Sequence, residues 1–117
     1  MERIESPRTD DDAIEQLIRS KGLNAPRLRP SDLDANITHT DFVKHVSASG
    51  QVLRWCVLTT RSGFAVTGRP SVSVSSKNDN VEVGERVAYQ NAKNELWPLM
   101  GYALKERLSG AYGNDPD

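Results

Sequence analysis

QVLRWCVLTT, residues 51–60, is the stretch that decides the fold, because it is the clearest β-strand pattern in the chain. It is rich in Val, Leu, Trp and Thr, which are residue types that favour strands. Strand geometry divides its side chains between two faces, with Leu53, Trp55 and Val57 on one and Arg54, Cys56 and Leu58 on the other. The segment RSG follows, and Gly63 suits the positive φ of a short hairpin loop. The returning strand is FAVTG, residues 64–68, so this part of the chain predicts an antiparallel hairpin.

Weaker strand patterns flank the hairpin. DFVKHV, residues 41–46, precedes it and is separated from it by the turn SASG. Alternating Ser and Val follow at residues 71–76, before the chain becomes a polar loop. We therefore expect an antiparallel sheet of two to four strands that packs one face on helices.

Two helical patterns precede the sheet segment. DDDAIEQLIRSKG, residues 10–22, predicts a helix with acidic residues in its first turn and Gly22 at its end. SDLDANI, residues 31–37, predicts a short helix in which Ser31 and Asp34 resemble a capping box.

Residues 81–108 predict one long helix after the sheet. Its apolar residues recur at helical spacing in two stripes: Ala88, Ala92, Leu96, Leu99 and Ala103 in the first, and Met100, Leu104 and Leu108 in the second. Pro98 lies inside the pattern, and a kink there would bend a helix of roughly 40 Å back over a small domain. The expected fold class is α+β: a small antiparallel sheet packed by a long kinked C-terminal helix and a short N-terminal helix.

The chain of 117 residues fits one domain. We predict disorder for residues 1–9, a single α+β domain for residues 10–110 and a flexible tail for residues 111–117. Cys56 is the only cysteine, so no internal disulfide can form and a reducing cytoplasm is the simplest location. No apolar run approaches the roughly 20 residues of a membrane span. The charged N-terminal stretch lacks the apolar region of a signal peptide, so we expect a cytoplasmic protein.

The sequence contains no familiar catalytic or metal-binding pattern. His39 and His45 have no nucleophile motif nearby, and surface histidines are the simpler interpretation. Two histidines and one cysteine are too few for a conventional structural zinc site. The two glycines of SGFAVTG match neither a dinucleotide fingerprint nor a Walker loop. We therefore expect a protein that is not an enzyme and has no catalytic residue, no metal and no cofactor.

Basic residues are concentrated in the middle of the chain. Residues 42–76 contain four Lys or Arg residues and no Asp or Glu, although the whole chain has a net charge of -1. The four basic residues are Lys44, Arg54, Arg61 and Arg69. This segment is therefore expected to attract anions. The alternative is that these charges keep the edges of a small sheet solvated.

Polar side chains cluster in AYQNAKNELW, residues 88–97, within the long helix. Asn91 and Asn94 roughly share a helix face, and Tyr89 is close to them. Two amides on one face can read the edge of a base or a ribose. The alternative is that they form the polar side of an amphipathic helix. The N-terminus of this helix is a second, weaker candidate for binding phosphate.

CVLTTRSGFAVTG, followed after a serine-rich loop by VGERVAYQNAKNELWPLMGYALKERL, resembles a family of small tailed-phage proteins. The shared layout is a Val/Leu strand, a loop ending in Gly-Phe, a short strand ending in Gly, a serine-containing loop and a long helix. That helix carries Ala-Tyr-x-Asn-Ala and Trp-Pro-Leu in this order. The resemblance covers roughly residues 52–108, with a looser similarity at KGLNAPRLRPSDLDANI.

The same layout is similar to the Thoeris anti-defence one family of phage proteins that sequester signalling nucleotides. The similarity implies binding of a cyclic ADP-ribose isomer or a cyclic oligonucleotide without cleavage. It also implies a homo-oligomer, either a dimer or a trimer of dimers. Asn91 of YQN is the best-matched polar position, and Arg107 is the implied phosphate partner. Relatives often carry an aromatic residue where this chain has KNDN, which includes Asp79.

The residue patterns and the resemblance together suggest one set of ligand-binding residues: Tyr89, Asn91, Asn94, Arg54, Arg61, Arg69, Arg107, Phe64 and Asn78. The leading hypothesis is a phage anti-defence protein whose partner is a small nucleotide signal, not a membrane or a nucleic-acid duplex. The alternative is a module that inhibits a host protein through exposed aromatic residues such as Trp97, Tyr102 and Tyr112. A structural domain without a ligand is the third hypothesis.

We expect a homodimer through the C-terminal helix, because the apolar stripes of this helix are larger than the surface that a small sheet can cover.

Overall fold

The computed structural model describes residues 8–23 and 25–110 and has an α+β fold. The elements in chain order are helices α1 (Arg8–Ser20) and α2 (Pro30–Asn36), strands β1 (Ile37–Val46), β2 (Val52–Thr60), β3 (Ala65–Thr67) and β4 (Ser71–Ser73), and helix α3 (Val81–Ser109). A short 3-10 turn at Ser76–Asn78 precedes α3. The four-stranded antiparallel sheet, the long C-terminal helix and the short N-terminal helix confirm the predicted fold class.

Strand β2 is the centre of the sheet, as its sequence pattern indicates. β1 pairs with one side of it along its whole length, with Val43 opposite Trp55. β3 and β4 pair one after the other with the second side, with Leu58 opposite Val66 and Leu53 opposite Val72. All the pairings are antiparallel, and the hairpin loop between β2 and β3 contains Gly63 at a φ of 92°. β1 is therefore an outer edge of the sheet.

The core lies between one face of β2 and α3. Alternate β2 residues are buried on this face: Val52, Arg54, Cys56, Leu58 and Thr60. Leu33 of α2 and Val66 of β3 join Ala88, Ala92 and Leu96 of α3 in the same cluster. Full burial of a leucine such as Leu58 contributes about 1.5–3 kcal/mol. The opposite face carries Val43 and Val72, each about half exposed, and no helix forms part of the described packing there.

Small residues allow α3 to approach the sheet closely. A Cβ atom added to Gly68 would lie 2.3 Å from the backbone oxygen of Asn91, so only glycine fits at this point. Ala88 and Ala92 face the sheet on the same helix and are fully buried. Lys93 is also buried, and its Nζ lies 2.9 Å from Oδ1 of Asp34. This ion pair stabilises the packing of α2 against α3.

Helix α3 continues through Pro98, but its burial changes there. The first predicted stripe is buried as far as Leu96, whereas Leu99 and Ala103 beyond the proline are exposed. Only Met100 and Leu104 of the second stripe are partly buried. The first stripe is therefore buried only before Pro98, and the expectation that helical spacing marks a buried face is wrong after the proline. The second half of α3 lies beside α2 and the segment before it.

Several predicted boundaries differ from those of the structure. α1 begins at Arg8, within the segment predicted to be disordered, and β1 begins four residues earlier than predicted, at Ile37. α2 is capped at Arg29 instead of Ser31, because the Asp32 carboxylate accepts the Arg29 backbone N–H at 2.8 Å. The predictions for residues 1–7 and 111–117 lie outside the described residues. Among the helices that the structure describes, none is long and apolar enough to cross a bilayer.

Two glycine substitutions test the close approach of α3. We expect Gly68→Ala to lower the free energy of unfolding by at least about 2 kcal/mol, because its methyl group would overlap the Asn91 backbone. Gly101→Ala is the matched control, since nothing lies within 4 Å of its added Cβ. A glycine in a helix interior costs about 0.5–1 kcal/mol relative to alanine, so this variant should be more stable than the wild type. Urea denaturation measures both, and equal stability of Gly68→Ala and the wild type would contradict the packing described.

Candidate functional site

A groove of about 630 Å³ lies between α2, the β2–β3 loop and the second half of α3. Its apolar lining consists of Pro26, Leu28, Ala35, Met100, Ala103 and Leu104, and its polar lining of Arg27, Arg29, Asp32, Asn36, Arg61 and Arg107. We call it the arginine groove. It combines an apolar floor with four guanidinium groups, an arrangement that suits an anionic ligand with an apolar or aromatic part.

Asn36, at the end of α2, holds the parts of the arginine groove together. Its backbone oxygen accepts the N–H of Arg61 at 3.0 Å, and its side-chain oxygen accepts the same N–H at 3.3 Å. Its amide nitrogen lies 3.5 Å from Sδ of Met100 on α3. Through these contacts a residue of α2 positions both the β2–β3 loop and α3 at the groove.

Three of the four arginines have no direct acidic partner within the described residues, although Asp32 also lines the groove. Arg29, Arg61 and Arg107 are exposed, and none forms an ion pair within the part of the chain that the structure describes. Arg29 precedes α2, Arg61 lies in the β2–β3 loop and Arg107 in the last turns of α3. The fold thus brings three cations from distant parts of the sequence to one groove, where their fields add.

Arg27 differs from the other three because Glu15 neutralises it. Its Nη1 and Nη2 donate to the two carboxylate oxygens of Glu15 at 2.6 and 2.8 Å. Arg19 donates to the same carboxylate at 3.2 Å. Hydrogen bonding from Arg27, and less strongly from Arg19, lowers the pKa of Glu15 to about 2. This pair connects α1 to the wall of the groove.

Arg54, one of the predicted ligand-binding residues, lies in the core and is engaged by Asp79. Only 4% of its surface is exposed, and its Nη2 donates to Oδ2 of Asp79 at 2.8 Å in a two-point contact. Hydrogen bonding from Arg54 lowers the pKa of Asp79, and the hydroxyl of Ser73 also donates to this carboxylate. The pair holds the segment before α3 against the sheet. It leaves the Arg54 guanidinium enclosed by the fold instead of facing the groove.

The predicted helix residues are used mainly for internal contacts. The side-chain amide of Asn91 donates to the backbone oxygen of Arg69 at 3.0 Å and holds the β3–β4 connection. Asn94 accepts a hydrogen bond from Gln90 at 2.6 Å. Tyr89 is partly buried against the core, and burial raises its pKa. None of these three predicted residues lines the arginine groove.

Of the nine predicted ligand-binding residues, the groove brings together Arg61 and Arg107. Arg69 and Phe64 are exposed but do not line it, and Asn78 lines a separate cleft of about 120 Å³ beside the start of α3. Sequence reasoning missed Arg29 and Asn36. The basic segment RLRP before a short helix was the only local signal for Arg29.

The described residues contain no group of three or more side chains suited to a metal ion. Cys56 lies in the core, where burial raises its pKa to about 11. A thiol in such a site remains protonated near neutral pH and therefore packs as a small apolar residue.

Comparison with known proteins identifies a matching family model. The sequence model of the phage protein (N4 Gp49/phage Sf6 gene 66) family matches residues 10–108, which is more of the chain than the segment that carried the resemblance. No curated protein and no solved structure matches. The resemblance to a phage protein family is thus confirmed, and the narrower similarity to the Thoeris anti-defence one family stays a prediction.

The lowered pKa of Glu15 predicts how stability changes in acid. The unfolded chain takes up a proton near the ordinary value of 4.5, whereas the folded protein does so only near 2. The stabilisation from this ion pair is therefore complete above pH 4.5 and is lost as the pH falls through about 2. Glu15→Gln should reduce the acid-induced loss of stability in this window, measured by denaturant unfolding at several pH values. The exposed Glu95→Gln is the control, and an unchanged pH profile in Glu15→Gln would contradict the assignment.

The Arg54–Asp79 pair predicts a second set of stability effects. Asp79→Ala should lower Tm, because it leaves the buried guanidinium of Arg54 without its counter-ion. The double variant Arg54→Met, Asp79→Ala should recover part of the lost Tm, since Arg54→Met removes the buried charge that Asp79→Ala leaves unpaired. Lys77→Ala, in the adjacent exposed turn, is the control and should have little effect. A Tm for Asp79→Ala equal to that of the control would show that the pair is not structural.

Proposed function

This chain belongs to the phage protein (N4 Gp49/phage Sf6 gene 66) family, and from that premise we propose that it binds and sequesters a cyclic nucleotide immune signal without cleaving it. The signal would be a cyclic ADP-ribose isomer or a cyclic oligonucleotide in the cytoplasm of the infected bacterium. The protein would thereby act as a phage anti-defence protein. It would do so as a homo-oligomer, in agreement with the resemblance.

The observation that carries the proposal is the convergence of Arg29, Arg61 and Arg107 on one groove with an apolar floor. Cyclic ADP-ribose isomers and cyclic oligonucleotides contain at least two phosphate groups and one base. Guanidinium groups bind phosphate oxygens in a two-point geometry, and an apolar floor favours contact with a base. The groove of about 630 Å³ also lies within the roughly 300–1,000 Å³ range of small-molecule sites.

Charge repulsion gives the proposal a thermodynamic basis. Arg29, Arg61 and Arg107 repel each other in the absence of a ligand, and the single carboxylate of Asp32 in the same groove offsets only part of this repulsion. A ligand with two or more negative charges would remove this repulsion when it binds. Its affinity should consequently fall as the salt concentration rises, since salt screens exposed charges.

Inhibition of a host protein is the second candidate function, and exposed apolar residues of α3 favour it. Tyr102 is 65% exposed, and Leu99 and Leu108 are about half exposed. Trp97, also a candidate, is partly buried against the core, and Tyr112 lies outside the described residues. Capture of one host protein in stoichiometric amounts, with loss of capture in Tyr102→Ala, would favour this function.

The arginine groove predicts which substitutions weaken nucleotide binding. Arg61→Ala and Arg107→Ala should each raise Kd by about 10-fold or more, because each removes a charged hydrogen bond worth roughly 1.5–3 kcal/mol. Arg69→Ala is the matched control, since Arg69 is exposed but does not line the groove. Calorimetry with cyclic ADP-ribose isomers and cyclic di- and trinucleotides measures the binding. Mass spectrometry of the ligand recovered after heat denaturation separates sequestration from cleavage.

Three results would overturn the proposal. The first is the absence of binding by the wild type to every member of the panel at concentrations well above micromolar. The second is an equal loss of affinity in Arg69→Ala, which would place the ligand outside the arginine groove. Recovery of a hydrolysed ligand would replace sequestration by an enzymatic function.

A further inference from the structure

Strand β1 is a long and exposed edge. It has ten residues, and all of them except Ile37 are exposed. No described strand pairs with its outer side. Proteins usually protect such an edge with proline, short length, charged side chains, a bulge or a covering element, because unpaired backbone groups invite pairing with another chain. β1 contains no proline, its one irregularity lies at its start, between Ile37 and His39, and its two charged residues, Asp41 and Lys44, have opposite signs.

The backbone groups that β1 presents outward can be identified from the turn that follows it. The N–H of Ser47 donates to the oxygen of Gln51 at 2.8 Å. In an antiparallel pair, hydrogen-bonded positions alternate along the strand. The odd-numbered residues from 39 to 45 therefore bond to β2. The outward N–H and C=O groups belong to Thr40, Phe42, Lys44 and Val46.

We propose that β1 pairs antiparallel with β1 of a second copy of this chain, about a two-fold axis at Val43. This inference concerns a different surface from the arginine groove and does not depend on the proposed function. In this register Asp41 faces His45 of the second copy, and Phe42 faces Lys44 of the second copy. The first allows a hydrogen bond between an imidazole and a carboxylate, and the second places a cation beside an aromatic ring.

Among axes at residues 41–44, symmetry and charge together favour this register. Paired residues of an antiparallel sheet lie on the same face, so a two-fold axis must pass through a residue that faces its own copy. An axis at Asp41 would oppose two carboxylates, and an axis at Lys44 would oppose two ammonium groups. An axis at Phe42 would place Asp41 against Val43 of the second copy. Among these choices, Val43 at the axis avoids like charges and gives Asp41 an attractive partner.

The proposed pairing also joins the apolar residues of the open sheet face. Val43 lies opposite Trp55 within one chain. Two Val43 residues at the axis would therefore form a row of four side chains with the two Trp55 residues. About eight backbone hydrogen bonds would link the chains, because each of the four outward residues exchanges both of its groups. The result is one continuous eight-stranded sheet, which leaves the exposed apolar residues of α3 free for a second interface.

Hydrogen exchange combined with mass measurement tests the pairing on the intact protein. Light scattering should show a dimer whose population grows with concentration. Amide exchange followed by NMR should show that the N–H groups of Phe42 and Lys44 become protected as the dimer forms. In the monomer only the odd-numbered amides of β1 are protected. A dimer in which Phe42 and Lys44 exchange freely, or a monomer at millimolar concentration, would overturn the proposal.

Charge variants test the register. His45→Asp places a carboxylate opposite Asp41 of the second copy, so the dimer Kd should rise about 10-fold. Asp41→Lys combined with His45→Asp restores an attractive pair and should return Kd close to the wild-type value. His39→Asp is the matched control, because it makes the same change on the same strand, where the proposed partner is the uncharged Ser47. An equal effect of His39→Asp and His45→Asp, or no rescue by the double variant, would refute this register.

Discussion

The close approach of α3 to the sheet is the constraint on which the rest of the structure depends. It requires a glycine at position 68, where any side chain would overlap the helix backbone, and alanines at positions 88 and 92 on the facing side of α3. With the helix this near, Cys56 and Leu58 of β2 are enclosed completely. The ion pair between the buried Lys93 and the exposed Asp34 then holds α2 beside the same helix, so the close approach of α3 to the sheet also sets the position of α2.

The arginine groove is a consequence of that arrangement. α2 and the second half of α3 form its walls, and Asn36 connects the β2–β3 loop to them through the backbone of Arg61. The groove begins where α3 leaves the sheet, since the helix residues before Pro98 are used to close the core. In the same way, Asn91 is needed to hold the β3–β4 connection, so its amide serves the fold while the residues near the end of α3 remain available.

The arginines of this protein have different roles because their acidic neighbours differ. Asp79 neutralises Arg54 inside the fold, and Glu15 neutralises Arg27 at the wall of the groove. Both carboxylates have a lowered pKa for the same reason, which is hydrogen bonding from the arginine. Arg61 and Arg107 have no such acid within the described residues and can direct their charge at a ligand. Of the basic residues in segment 42–76, Arg54 thus has a structural role, whereas Arg61 is available at the surface.

The sequence by itself determined the order of the elements, the centre of the sheet and the length of α3, because these follow from local periodicity and from turn and capping residues. The alternation of side chains along β2 also correctly predicted that Arg54 and Trp55 lie on opposite faces of the sheet. Only the tertiary structure decided which face of β2 meets the helix, that Arg54 is paired with Asp79, and that Arg29 lies near Arg61 and Arg107. Those facts depend on contacts between segments that are far apart in the chain. The physical reason is that a residue's own neighbours in sequence set its backbone conformation, whereas its electrostatic partners are set by packing.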